Sequence, residues 1–405
     1  MEIYQFSLEE EDDRFHSNEC IHDKFATEMT QKIAETLNII GPMDGVLDRS
    51  KKIVREINDR LPIRIQFDTS QIMNDSYACY HVGDKIITGA IPNSGKKHKK
   101  LPDCIAGDEE PCIYTCQEYD VITPEMLNMT ESILETINNV FTNLLSVDRE
   151  PKLQLGKVAY ESFGGQCCAG VKIPETALDP GIPDTDFMVY VTMRPLNSKR
   201  IAAFAGACNY KVYGHGVYGR PLAAYINFNP FYYSSFVGST SLARTDMTHT
   251  NFVRIAIHEM IHALGFSKFF FEKSFINSVG DHYSAVRNVK RKGINNQGEV
   301  YSFVQPVIDS PNVVNYLRQQ TGCQDIKYAD LAFNGGSHWG TSTVGDEIMV
   351  TTSSARSVNP ISNLTLNLLK DTGWYDINFE YAEPLVKNRG LRCESQSGGG
   401  GIVVY

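Results

Sequence analysis

Two histidines four residues apart, His258 and His262, enclose a carboxylate in the run His258-Glu259-Met260-Ile261-His262. On a helix such a pair stands one turn apart on a single face, so both imidazoles can reach one ion. Glu259 is offset by about 100° around the same helix, which lets it touch a water held by the metal without being a ligand itself. Zinc in that position lowers the pKa of its water to about 7 and polarises a carbonyl, while the carboxylate takes the water's proton and passes it to a leaving amine. The chemistry these residues imply is peptide-bond hydrolysis.

A third ligand is needed. Gly265 follows His262 by three residues and can end the helix in a left-handed conformation, giving the metzincin-type opening after which a third histidine normally comes. Lys268 occupies that place instead. The remaining candidates are His16, His22, His81, His98, His215, His249, His282 and His338. His338 stands apart because it lies in Gly335-Gly336-Ser337-His338-Trp339-Gly340, whose backbone can carry an imidazole to a metal. Met349, eleven residues later within Asp346-Glu347-Ile348-Met349-Val350, is a candidate Met-turn to lie beneath the zinc.

Several elements must hold these residues. Ile255, Ala256, Ile257, Ile261 and Leu264 give the segment from about 251 to 264 a buried side and predict the helix that carries both histidines. Thr123-Pro124-Glu125 reads as an N-cap with Pro at the first helical position, opening a helix to about 145 with Ile133, Ile137, Val140 and Leu144 as its core stripe. Strands are predicted at 63–67, 187–191 and 223–227. Phe25, Met29, Ile33 and Leu37, then Ile53 and Ile57, predict two short helices between 24 and 60, broken at Gly41-Pro42. Residues 268 to 335 read as short helices around a basic, glycine-containing loop from Arg287 to Gly298, and 395–401 as a flexible tail. Strands ahead of a long helix imply an α+β layer with the sheet covered on one face.

Composition narrows the partners. The 405 residues carry 48 acidic and 38 basic side chains, a net charge of −10, so the surface repels nucleic-acid phosphates and anionic lipid. The run Lys96-Lys97-His98-Lys99-Lys100 is a local exception and reads as a solvated loop. No stretch reaches the roughly 18 to 20 apolar residues of a membrane-spanning helix. The start of the chain, with Glu9-Glu10-Glu11-Asp12-Asp13, has neither the positive region nor the apolar core of a secretory signal, so the chain is either cytosolic or has lost its beginning. Ten cysteines without a paired CxxC pattern favour disulfides, and Asn-x-Ser/Thr triplets at Asn74, Asn128 and Asn363 agree with a secreted glycoprotein.

In this order the motifs resemble the leishmanolysin family of zinc metzincins, which includes the invadolysin-like enzymes. His258 through Ser267 is similar to that family's active-site run, and Gly336-Ser337-His338-Trp339 with Asp346-Glu347-Ile348-Met349 is similar to its third-ligand and Met-turn segments. The resemblance reaches upstream to Thr185-Asp186-Phe187 and downstream to Gly373-Trp374-Tyr375. It implies an α+β, metzincin-type zincin catalytic domain with a mixed twisted sheet, an active-site helix and an inserted region before the third zinc ligand. That insertion would account for Lys268 and for the 76 positions separating His262 from His338. It further implies that His258, His262 and His338 bind one zinc, that Glu259 is the general base, and that Met349 supports the site without ligating. Cys20, in Cys20-Ile21-His22-Asp23, resembles the prosegment motif whose thiolate closes the open zinc position. The same likeness suggests pairing Cys79 with Cys116, Cys168 with Cys208 and Cys323 with Cys393, gives Cys104 and Cys112 a local loop, and leaves Cys167 unassigned.

The expectation is a zinc metalloendopeptidase made as a cysteine-switch zymogen. Its parts would be an inhibitory prosegment over 1–60, an N-terminal catalytic subdomain over 61–267, a central subdomain with the third histidine and Met-turn over 268–385, and a remnant of a truncated C-terminal region over 386–405. Proteins or extended peptides are the expected substrates, an extended chain pairing with a sheet edge beside the cleft. Members of the family usually carry a secretory signal, sometimes a lipid anchor, so the expected location is secreted or cell-surface, with peripheral membrane association allowed and the cytoplasm as runner-up. Ile402-Val403-Val404-Tyr405 is too short for an anchor tail. The rival is a catalytically idle adhesion or binding protein on the same scaffold, against which the retained Glu259 argues. Cleavage preference and oligomeric state are not encoded in any motif.

Overall fold

The computed structural model describes residues 60–88, 101–104, 112–156, 166–196, 201–214, 217–234, 242–276, 282–294, 299–333, 336–351, 359–385 and 402–404. The two helices expected between 24 and 60, Cys20 with its prosegment, and the tail at 395–401 lie outside these residues.

The first strand of the main sheet, β1 (Ile65–Asp68), follows Ile63, and the alternation of that stretch buries Ile63 and Ile65 while Arg64 stays half-exposed. Helix α1 (Pro124–Leu144) begins where the N-cap signal put it, with Thr123 Oγ1 accepting the Met126 amide at 3.3 Å. Its buried face is Met126, Thr130, Ile133, Leu134, Ile137, Phe141 and Leu144, spaced three and four apart as a helix lying on a core requires. Each large apolar side chain so buried contributes roughly 1.5–3 kcal/mol. Strand β2 (Phe187–Thr192) is buried at all six positions, as a strand covered on both faces must be. Two long strands follow, β3 (Ala203–Gly214) and β4 (Val217–Phe228), and then the long helix α2 (Leu242–Ala263).

These strands form one sheet in the order β3-β4-β2-β1. β4 runs parallel to β2 and β2 parallel to β1, whereas β3 is antiparallel to β4 and forms the sheet edge. Helix α2 packs on β3 and β4, and α1 packs beside α2. Phe228, Tyr233 and Phe252 close the junction between sheet and helices with ring centroids 4.6–6.2 Å apart. Mixed helix and sheet agree with the α+β expectation.

Beyond α2 comes a hairpin of nine-residue strands, β5 (Val286–Ile294) and β6 (Val300–Ile308), paired from Val286↔Ile308 to Ile294↔Val300. This corrects the reading of Arg287 to Gly298 as a basic loop. The base of the hairpin is buried at Val307 and Ile308, but most of β5 is solvated, so its charges hid the strand period. Arg291, on β5, forms a bidentate pair with Asp330, 2.6 and 2.7 Å, one carboxylate oxygen on each terminal nitrogen. Helix α3 (Pro311–Thr321), the short strand β7 (Ala329–Asp330) and helix α4 (Asn363–Asp371) complete this part, and β8 (Ile402–Val404) pairs parallel with β5. The Asp371 carboxylate caps α3 by accepting the amides of Asn312 and Val313. Among the described residues no helix is long and apolar enough to cross a membrane.

Disulfides join Cys79 to Cys116, Cys104 to Cys112 and Cys168 to Cys208, as expected. Cys323 is also disulfide-bonded, and its expected partner Cys393 lies outside the described residues.

Candidate metal centre

Helix α2 brings His258 and His262 into the interior because Phe252, Ala256, Met260, Ile261 and Ala263 bury its flank. His262 is completely buried and His258 nearly so. The helix stops at Ala263, and Gly265, at φ +124°, turns the chain back so that the Phe266 amide bonds the Ile261 carbonyl at 3.1 Å. Only glycine reaches that conformation without strain. A Cβ at this position would also lie 2.7 Å from the Trp374 ring.

The same turn aims the Phe266 carbonyl at His262 Nδ1, 2.7 Å away, and the Ile348 carbonyl lies 2.5 Å from His258 Nδ1. A carbonyl can only accept, so Nδ1 carries the proton in both rings and each Nε2 presents a bare lone pair. Those lone pairs converge. His262 Nε2 is 3.1 Å from His258 Nε2 and 3.2 Å from His338 Nε2, and the ligand atoms of all three rings lie within 4.8 Å of one another. Converging lone pairs repel unless a cation sits between them. For zinc–nitrogen bonds of about 2.0–2.1 Å, the edge of a tetrahedron is about 3.3 Å, close to the spacings seen here. The donor set therefore fits one zinc ion. His81, by contrast, is an exposed histidine beside Asp84.

His338 arrives from a different segment. Its carbonyl accepts the Ala332 amide at 2.8 Å, and the next residue, Trp339, donates its amide to the Met349 carbonyl at 2.8 Å. Met349 is fully buried in the segment whose Ile348 carbonyl holds His258. Lys268, where the shorter motif would place its last histidine, donates its amide to Ser337 Oγ at 2.9 Å, directly beside His338. The chain thus returns to the same point before supplying the third imidazole.

Glu259 is buried, with 2% of its surface exposed, and its Oε2 accepts the Ala205 amide of β3 at 3.0 Å. The sheet edge and the carboxylate thereby meet beside the histidines. Sequence reasoning had no means to find the carbonyls of Phe266 and Ile348 or the amide of Ala205, since every residue carries these groups. Glu347 stood out in the sequence only as part of the Met-turn segment. Its carboxylate is fully buried and accepts from Met349 N at 2.6 Å, Ser362 Oγ at 2.8 Å and Thr365 Oγ1 at 2.6 Å. Burial pushes its pKa up to about 7, against the opposing pull of these donors.

A sequence profile of the leishmanolysin family matches residues 18–397. Leishmanolysin of Leishmania donovani is 26% identical over 385 residues, covering 92% of this chain and 55% of that protein. A leishmanolysin homolog of Crithidia fasciculata is 28% identical over 344 residues, covering 83% of this chain and 43% of its own. The ciliated left-right organizer metallopeptidase of Danio rerio is 27% identical over 267 residues, 57% of this chain and 39% of that protein. The chain spans about half the length of the Leishmania relatives it matches. With its three converging imidazoles and a family match over nearly its whole length, the chain belongs to the leishmanolysin family of zinc metallopeptidases.

Proposed function

We propose that this chain is a zinc-dependent metalloendopeptidase that cleaves proteins or extended peptides. The observation that carries the reading is the meeting of the His258, His262 and His338 ring nitrogens beside the buried carboxylate of Glu259. Zinc at this centre supplies a Lewis acid that acidifies water and polarises the scissile carbonyl. Glu259 accepts the proton of the attacking water and returns it to the leaving amine, so that peptide-bond cleavage balances with one water consumed. The Ala205 amide holds one oxygen of that carboxylate and keeps the other available for the proton. Met349, fully buried and bonded through its carbonyl to the Trp339 amide, supports the centre without ligating. An extended substrate lies along β3, the antiparallel edge of the sheet.

The expected division into a catalytic subdomain over 61–267 and a central subdomain over 268–385 is in keeping with ligands drawn from α2 and from the segment around His338. Residues 1–60 are proposed as the prosegment, with Cys20 as the thiolate that keeps the enzyme latent. The disulfides Cys79–Cys116, Cys104–Cys112 and Cys168–Cys208 support a secreted or cell-surface location, because such bonds persist in oxidising surroundings.

The test is cleavage of unfolded casein by wild type and Glu259→Gln, each before and after a thiol-modifying treatment that would release Cys20. Activity is expected in treated wild type alone, with Glu259→Gln keeping one zinc and losing about 10²–10⁴ in rate. A folded wild type that holds one zinc and cleaves nothing under either condition would overturn the protease reading.

A further inference from the structure

We infer that Glu347 is a positioning residue for the zinc centre, setting the ring orientation of His258 and the path of His338 through one buried carboxylate. The inference rests on the metallopeptidase reading and extends it to a residue that touches no ligand.

One carboxylate oxygen accepts the Met349 amide at 2.6 Å, which fixes the tight turn in which Ile348 sits. The carbonyl of Ile348, held in that turn, lies on His258 Nδ1. The other oxygen accepts the hydroxyls of Ser362 and Thr365, at 2.8 and 2.6 Å, and so ties the turn to the beginning of α4. Thr365 Oγ1 in turn accepts the indole N–H of Trp339 at 2.9 Å, and the Trp339 amide bonds the Met349 carbonyl. Trp339 is the neighbour of His338. Two of the three imidazoles are therefore oriented from one buried carboxyl group, His258 through a carbonyl and His338 through the adjoining indole and amide.

A carboxamide, which donates from one side at every pH, cannot replace it. The Met349 amide and both hydroxyls point their hydrogens at the carboxylate, so an amide side chain faces a donor with its own NH₂ on one side. The turn then shifts, and the Ile348 carbonyl leaves His258 Nδ1 free to take the other tautomer. Partners of this kind typically change metal affinity 10–100-fold when removed.

The experiment measures zinc dissociation constants of the full chain by competition with a chelator, together with the visible absorption of the cobalt-substituted protein. Glu347→Gln is expected to weaken zinc 10–100-fold and to alter the cobalt spectrum. Asp371→Asn serves as a control, because Asp371 is a half-buried carboxylate that caps α3 and should cost stability without moving zinc affinity. Zinc affinity in Glu347→Gln equal to that of wild type, or lowered no more than in Asp371→Asn, would overturn the inference. Should Glu347→Gln fail to fold, Thr365→Val must weaken zinc several-fold while Thr365→Ser does not, and equal affinities in both would overturn it. A wild type that binds no zinc at all would instead bring down the metallopeptidase reading beneath it.

Discussion

Replacing Gly265 by alanine tests whether the turn after α2 sets the metal centre. Two costs are separable. At φ +124° an L-residue is strained by about 1–3 kcal/mol. The added Cβ would lie 2.7 Å from Trp374 Cζ3 and 3.5 Å from Cε3, and crowding a packed core costs a further ~1–3 kcal/mol. Trp374 has little room to retreat, because it is buried and packs edge-on against Phe270 at 5.4 Å. The sum is roughly 2–6 kcal/mol. Urea unfolding of the zinc-free protein should show it, and chelator competition should show weaker zinc, since Phe266, whose carbonyl holds His262, is the next residue. In a Trp374→Leu background the steric part should vanish and leave only the backbone part, a coupling of about 1–3 kcal/mol in the double-mutant cycle. Gly265→Ala within about 0.5 kcal/mol of wild type in either background would refute the reasoning.

Other outcomes follow from the same geometry. His338→Ala should weaken zinc by more than the roughly 100-fold of an outer-shell loss, read by chelator competition, and near-wild-type affinity would remove His338 from the ligand set. In zinc-free protein Glu347 binds its proton up to about pH 7 when folded but only to about 4.5 when unfolded, so this group favours the folded state most at low pH. Its contribution is lost as pH rises from 4.5 through 7, roughly 3 kcal/mol in all, and Glu347→Gln should lack that slope. Identical pH–stability curves for the two proteins would contradict the assignment. Replacing both Cys168 and Cys208 by alanine reopens a loop with a sequence separation of 40, which predicts a loss of about 4 kcal/mol on the chain-entropy account. Unfolding midpoints that coincide for the two proteins would count against that account.

The centre was legible where chemistry resides in side-chain identity. His258, Glu259 and His262 announce themselves by spacing, and Gly265 by the turn it permits. His338 was one of eight candidates, set apart only by the glycines around it, because 76 positions separate it from His262 and nothing local encodes that distance. The same distinction runs through the fold. The stripe of α1 and the apolar run of β2 were visible because their faces are buried, whereas β3 passed unread. Its sequence, with Ala203, Ala205, Gly206, Ala207 and Asn209, has little intrinsic strand preference, and it is a strand because β4 pairs with it. The first turns of α2 were missed for a related reason. Arg244, Thr245, Asp246 and Thr248 show no apolar period of their own.

The meeting of Lys268 with Ser337 has a meaning for how such a protein can change over evolution. Between two residues in hydrogen-bond contact and 69 positions apart, the intervening chain forms a detour with almost no net displacement. Lengthening or trimming a closed excursion of that kind adds or removes only about 0.6 kcal/mol of closure entropy per doubling. The solvated far end of the β5–β6 hairpin can therefore be lengthened or trimmed, while its buried base, α3 and the doorway at Lys268 and Ser337 deliver the last histidine to the same place.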